Sequence, residues 1–116
     1  MSAGKPDIVV DLDHLAQYTS GDRALEAELF DLFLTNGKVY VAAMSDAPDL
    51  AAWRQAAHTL KGSARGIGAM VVARLSETAE GLAAEPSDAE KVRLTEELTN
   101  ALAEVDAFVK ARETSL

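Results

Sequence analysis

The sequence predicts an all-α protein, an antiparallel four-helix bundle with a short additional N-terminal helix. Apolar residues recur at three- and four-residue steps through most of the chain, which is the spacing of a buried helical face. The 116 residues include 22 alanines, whereas aromatic residues make up only 5%. This composition favours helices, because strands prefer branched and aromatic side chains. All three prolines lie between the periodic segments, and the short connections favour antiparallel neighbours.

The N-terminal part of the chain predicts one short and one long helix. The short helix covers Asp11–Tyr18 and ends at the turn-like sequence that follows it. Asp22 is a suitable N-cap for the long helix, which continues to about Ser45. Gly37 lies inside the long helix, where glycine costs about 1 kcal/mol relative to alanine, so it is a candidate for a kink or break. The predicted buried positions of the long helix are Leu25, Leu29, Leu32, Phe33 and Tyr40.

Three further helices are predicted after Pro48. Asp49 is a candidate N-cap for the third helix, and Gly66 and Gly68 mark its end. The sequence from Ser87 to Glu90 forms a capping box at the start of the fifth helix. The predicted buried positions are Leu50, Trp53, Ala57, Leu60 and Ala64 in the third helix, Val72, Leu75, Ala79 and Leu82 in the fourth, and Leu94, Leu98, Ala101, Val105 and Phe108 in the fifth.

The composition limits the classes of function open to this chain. A length of 116 residues is typical of a single domain, and residues 1–7 are expected to form a flexible tail. The net charge of −8 would repel the phosphate backbone of a nucleic acid. Cysteine is absent, which excludes disulfides and cysteine nucleophiles. No apolar run reaches the ~20 residues that span a membrane and no signal peptide is recognised, so we expect a cytoplasmic protein without membrane contact.

The usual sequence signatures of catalysis are missing. The chain has no GxxxxGK[ST] phosphate loop, no HExxH metal motif and no GxSxG nucleophile motif. His14 has no candidate partner around it and is interpreted as a helix-surface residue. An enzyme that turns over a small molecule is therefore disfavoured.

One segment departs from the acidic composition of the chain. Residues 50–76 contain four basic residues and no acidic one: Arg54, Lys61, Arg65 and Arg74. On a helix that turns 100° per residue, His58 lies within about 60° of the first three. These side chains lie on the flank of the third helix, away from its apolar face, so His58 is predicted to be accessible. Neutral imidazole is a nucleophile near pH 7, and nearby cations would stabilise a phosphoryl group bound to it.

Gly62 follows His58 by one helical turn. A glycine inside a helix is costly and often has a packing or functional reason. The missing side chain leaves space beside the imidazole where another protein could approach it. We therefore predict that Gly62, together with Gly66 one turn further, belongs to a docking surface.

The sequence Ala57-His58-Thr59-Leu60-Lys61-Gly62-Ser63-Ala64, with Gly68 ten residues after the histidine, resembles the signature of histidine-containing phosphotransfer (HPt) domains. The resemblance implies that His58 accepts a phosphoryl group from a phospho-aspartate of a receiver domain and passes it to another receiver. The implied partners are receiver domains of response regulators or hybrid histidine kinases. With no ATP site, metal or cofactor expected, the protein would act as a phosphoryl carrier rather than a conventional enzyme, and a monomer is the default expectation.

The other predicted site residues are expected to assist phosphotransfer at His58 or to shape the surface around it. Lys61, Arg54 and Arg65 are candidates for stabilising the phosphoryl group, and Gly68 is interpreted as a structural residue at a helix junction. The resemblance also implies that part of the second helix contacts the receiver, which makes Phe30 and Leu34 candidate docking residues. The alternative is a helical docking module that binds a kinase or receiver without phosphotransfer.

Overall fold

The computed structural model describes residues 9–114, and it is all-helical, with no strand in that range. This confirms the predicted fold class, whereas the predicted tail of residues 1–7 lies outside the described residues. Among the described helices, none is both long and apolar enough to cross a membrane. The five helices are α1 (Leu12–Thr19), α2 (Arg23–Ser45), α3 (Leu50–Ile67), α4 (Met70–Glu80) and α5 (Asp88–Thr114).

Helices α2 to α5 form a four-helix bundle around one apolar core. Helix α2 packs against α3 and α5, and α4 packs against the same two helices. Helix α1 contacts α2 and α3, and the backbone N–H of Asp11 donates a hydrogen bond to the Gly68 carbonyl at 2.7 Å. The largest completely buried side chains of the core are Trp53, Phe30, Leu15, Met44, Leu60 and Leu98.

The helix starts follow the predicted caps. The side chains of Asp22 and Asp49 accept hydrogen bonds from the backbone N–H groups of Leu25 and Ala52, at 3.0 and 2.8 Å. Ser87 and Glu90 form the reciprocal capping box, with bonds of 3.1 and 3.3 Å. Because these contacts involve residues only three positions apart, the local sequence is sufficient to predict them.

The buried face of α2 differs from the predicted one. Leu25 and Leu32 were predicted to be buried, yet both are exposed, and Leu32 shows 58% of its surface to solvent. The buried residues are instead Glu26, Phe30, Phe33, Gly37, Val41 and Met44. Helix α2 packs against both α3 and α5, and apolar residues lie around most of its circumference. Their spacing therefore does not determine which side of the helix faces the core. Glu26 is accommodated because its carboxylate accepts a hydrogen bond from Arg112 (3.0 Å).

Helix α2 continues through Gly37, so the break considered for this position does not occur. A Cβ atom at Gly37 would lie only 2.9 Å from Cδ2 of Leu102 on α5. The glycine therefore leaves room for the end of the Leu102 side chain beside the α2 backbone.

Gly68 is the C-cap of α3 and connects it to α4 with a φ of +85°, a conformation that costs other residues roughly 1–2 kcal/mol. A Cβ atom there would also lie 2.7 Å from the backbone oxygen of Asp11. We expect Gly68→Ala to lower the free energy of unfolding by about 2 kcal/mol or more, as measured by urea denaturation.

Gly66→Ala is the matched control, because Gly66 is helical and a Cβ there meets no atom within 4 Å. The control should gain up to about 1 kcal/mol from better helix propensity. Equal urea midpoints for the two variants would contradict a structural role for Gly68.

Candidate functional site

The packing of α4 on α3 positions the candidate site. The indole N–H of Trp53 donates a buried hydrogen bond of 2.8 Å to the carbonyl of Ala79. Trp53 and Ala79 are both completely buried, so this bond holds the two helices in a defined register. The register places Glu80, the residue after Ala79, opposite the outer flank of α3.

His58 lies on this outer flank, and 63% of its side chain is exposed, which confirms the prediction that it is accessible. Its Nδ1 atom lies 2.7 Å from Oε2 of Glu80. An ionised carboxylate can only accept a hydrogen bond, so Nδ1 carries the proton. The lone pair of the neutral ring is then on Nε2, which has no hydrogen-bond partner among the described residues.

The carboxylate of Glu80 bridges His58 and Lys61. Its second oxygen, Oε1, lies 2.6 Å from Nζ of Lys61. Hydrogen bonds from Lys61 and then from His58 lower the pKa of Glu80 below its usual value. The carboxylate is therefore ionised at neutral pH, where it holds the imidazole and the ammonium group side by side.

The other predicted cations of α3 also contact α4 or the segment just after it. Arg65 forms an ion pair with Glu77 at 3.2 Å, and Arg54 donates a hydrogen bond to the carbonyl of Leu82. Leu82 was predicted to lie in the fourth helix, but α4 ends at Glu80. Arg65 and Glu77 are both more than half exposed, and such surface pairs contribute little, so the guanidinium can exchange partners.

Two exposed glycines continue the surface of α3 beyond His58. A Cβ atom at Gly62 or at Gly66 would meet nothing within 4 Å. Gly62 lies inside α3 and Gly66 is its second-to-last residue, so Gly62 in particular costs helix stability without serving the packing of the described chain. No packing contact within the described residues explains the two glycines, which supports the prediction that they contact another protein.

The comparisons with known proteins identify the family. The family model described as Hpt domain matches residues 23–108, which is most of the chain. The chain belongs to the Hpt family. No curated protein and no solved structure matches it. Members of the Hpt family act in phosphotransfer within two-component phosphorelays, where their partners are receiver and kinase proteins.

The structure of this Hpt domain corrects one of the two docking residues that the sequence predicts in α2. The prediction that Phe30 contacts a partner is wrong, because its side chain is completely buried. Leu34 lines a groove between α2 and α5 to which α3 contributes no residue, so we leave it out of the docking surface. Leu29 and Leu32 instead share a groove with Gly66. These differences follow from the rotation of α2, which the sequence pattern left open.

Glu80 is the residue of this Hpt domain whose role the sequence analysis missed. Helix α4 contains two acidic residues, Glu77 and Glu80. The chain reverses direction near Gly68, and Glu80 follows this turn at about the distance by which His58 precedes it. In an antiparallel pair of helices, residues at equal distances from the connecting turn lie opposite each other. This spacing could therefore have predicted a carboxylate opposite the histidine. Within residues 9–114, no three His, Asp or Glu side chains form a group suited to a metal ion.

His14 is less exposed than its interpretation as a helix-surface residue implies. Its Nε2 atom is buried without a hydrogen-bond partner, and its ring packs edge-on against Tyr18 with centroids 5.6 Å apart. No carboxylate or cation is paired with its ring in the described part of the chain. Its surroundings therefore lack the polarised arrangement of His58.

Proposed function

We propose that His58 carries a phosphoryl group between receiver domains, accepting it from a phospho-aspartate of one receiver and passing it to another. The observation that carries this proposal is the exposed His58 imidazole whose Nδ1 bonds to the ionised Glu80 carboxylate at 2.7 Å. This arrangement leaves Nε2 as the free nucleophilic nitrogen, in a chain that belongs to the Hpt family.

The chemical step transfers the phosphoryl group without a cofactor of this chain. The lone pair of His58 Nε2 forms a bond to phosphorus while the bond from phosphorus to the aspartate oxygen breaks. The electron pair of the broken bond remains on the aspartate carboxylate. The imidazole gains positive charge in this step, and the Glu80 carboxylate stabilises that charge through the proton on Nδ1. Transfer to the second receiver is the reverse of these events.

Lys61 is proposed to stabilise the phosphoryl oxygens. Its ammonium group shares a carboxylate with His58 and is one turn along the same helix. Positive charge near a transferring phosphoryl group lowers the energy of the transition state. Arg54 and Arg65 flank this position on α3 and are candidates for the same role, since neither is bound in a buried ion pair.

We propose further that the protein works as a monomer in the cytoplasm and depends on other proteins for its phosphoryl group. Incubation with a phosphorylated receiver domain and magnesium tests this directly. The protein should acquire label that is lost in acid and retained in alkali, because a phosphoramidate has that stability. Failure of every receiver domain of the source organism to label the protein would overturn the proposal.

Glu80 variants test how the imidazole is held. A hydrogen bond to a charged group is worth about 1.5–3 kcal/mol, so Glu80→Ala should slow phosphorylation of His58 roughly 10- to 100-fold. Glu80→Gln keeps an oxygen that accepts the Nδ1 proton but loses the charge, and its rate should lie between those of wild type and Glu80→Ala. The rates are measured with phosphoramidate as a donor that needs no docking.

A spectroscopic measurement separates this positioning role from a structural one. In wild type, nitrogen chemical shifts of neutral His58 should indicate a proton on Nδ1, and in Glu80→Ala the proton should be shared between the two ring nitrogens. Unchanged shifts and rates in Glu80→Ala would show that Glu80 does not orient His58. Glu77→Ala, which removes the neighbouring carboxylate of α4, is the control and should keep the wild-type shifts.

A further inference from the structure

The end of α4 is held by side chains of α3. Helix α4 ends at Glu80, and the glycine after it has a φ of −80°, not the left-handed conformation that closes many helices. The carbonyl groups in the last turn of a helix have no partner within that helix. On either side of Glu80, the carbonyl of Ala79 accepts a hydrogen bond from the Trp53 indole, and the carbonyl of Leu82 accepts one from the Arg54 guanidinium.

The bond from Trp53 to Ala79 is the buried one of the two. Both residues are 0% exposed, so water cannot replace either partner, and no backbone N–H of the described residues donates to the Ala79 carbonyl. The indole N–H is the only polar group of a tryptophan side chain. Because a buried polar group left unpaired is costly, this bond of 2.8 Å resists movement of the end of α4 along α3.

Glu80 follows Ala79 directly, and its carboxylate has to be placed accurately. Its two oxygens lie 2.7 Å from Nδ1 of His58 and 2.6 Å from Nζ of Lys61. A displacement of about 1 Å would lengthen either contact beyond hydrogen-bond distance. Trp53 is completely buried, whereas His58 is on the exposed flank of α3, so an effect of the indole N–H on the imidazole must pass through α4.

We propose that Trp53 is a positioning residue for phosphotransfer, whose indole N–H holds the end of α4 so that the Glu80 carboxylate meets Nδ1 of His58. The inference rests on the proposed function of His58. It assigns to one N–H group a role separate from the packing of the indole in the core. Without this bond, Glu80 would hold the Nδ1 proton for only part of the time, and the lone pair would be on Nε2 in fewer molecules.

The Trp53→Phe variant tests this role, because it keeps an aromatic ring in the core and removes the N–H donor. Phosphoramidate needs no docking, and its rate of labelling His58 should fall about threefold to tenfold, the effect that corresponds to one neutral hydrogen bond. The nitrogen chemical shifts of neutral His58 should move toward those expected for Glu80→Ala, with the proton shared between the two ring nitrogens.

Val105→Ala is the matched control for a loss of stability. Val105 is 1% exposed and lies on α5, a helix that supplies none of the described contacts joining His58, Glu80 and Lys61. The substitution removes buried apolar atoms and should lower the thermal unfolding midpoint. It should nevertheless keep the wild-type labelling rate and the wild-type histidine shifts.

Combination with Glu80→Ala distinguishes positioning from a general effect on the core. If the indole acts through Glu80, adding Trp53→Phe to Glu80→Ala should not slow labelling any further. The same fold reduction by Trp53→Phe in both backgrounds would overturn the positioning role. Wild-type rate and shifts in Trp53→Phe alone would overturn it as well.

A second variant covers the case in which phenylalanine leaves a cavity that unfolds the protein. The chain has a single tryptophan, so it can be replaced selectively by benzothienylalanine, in which sulfur takes the place of the N–H in a bicyclic ring of similar size. This protein should remain folded and show the reduced rate and altered shifts, and a wild-type rate would contradict the proposal. Failure of phosphoramidate to label wild-type His58 would instead refute the proposed function.

Discussion

The His58→Gln variant should take up no phosphoryl group from either a phosphorylated receiver domain or phosphoramidate. Glutamine has no nitrogen that can act as a nucleophile in place of Nε2, because its amide lone pair is delocalised. The substitution lies on the exposed flank of α3, and glutamine is a good helix former, so the fold should be retained. The measurement is the amount of acid-labile, alkali-stable label per protein molecule, with circular dichroism as the check of folding.

The control for this experiment is the second histidine of the chain. His14→Gln should keep full labelling by phosphoramidate, because no charged group is paired with the His14 ring. Label that persists in His58→Gln would show that another residue is the acceptor. The His58→Gln variant also tests the alternative, a docking module that binds without phosphotransfer. A protein that acts by binding alone would retain its function in cells after this substitution.

Gly62→Gln should reduce phosphoryl transfer from a receiver domain at least about 100-fold, because small displacements of the reacting atoms have effects of this size. Gly62 lies one turn from His58, and its Cβ direction points into open space. A glutamine side chain there would hold the two proteins apart and prevent in-line approach of the phospho-aspartate to Nε2. The measurement is the single-turnover rate of transfer from the receiver.

Two comparisons make the Gly62 result specific. Phosphoramidate is small enough to reach His58 past the new side chain, so its labelling rate should fall much less than the receiver rate. Ala107→Gln introduces the same side chain at an exposed position of α5 and should keep the wild-type receiver rate. Unchanged transfer in Gly62→Gln would show that Gly62 is not a docking clearance, and an unfolded variant would show that this glycine is structural.

The local features of this protein follow from its sequence. Asp22, Asp49 and the Ser87–Glu90 box cap helices through contacts that span three residues. The apolar spacing around Trp53 predicts a buried indole and, one flank away, an accessible His58. These predictions succeed because α3 has a narrow apolar face, which leaves only one rotation of the helix against the core.

The rotation of α2 was decided by its packing in the bundle and not by its own sequence pattern. Apolar residues cover so much of α2 that its sequence fits several rotations, and packing against both α3 and α5 selected the one that buries Phe30 and exposes Leu32. The same packing places the end of the Leu102 side chain of α5 against the α2 backbone at Gly37.

The sequence by itself determined that this chain forms helices with buried apolar faces and an exposed histidine beside glycines, because these properties depend on residues close together in the sequence. Tertiary structure alone decided which carboxylate holds the Nδ1 proton of His58 and which apolar residues border the glycines. Glu80 meets His58 across 22 positions of sequence, and Tyr18 and Leu32 meet Gly66 from two other helices. Such meetings depend on the register and rotation of packed helices, which are set by the fit of side chains in the core.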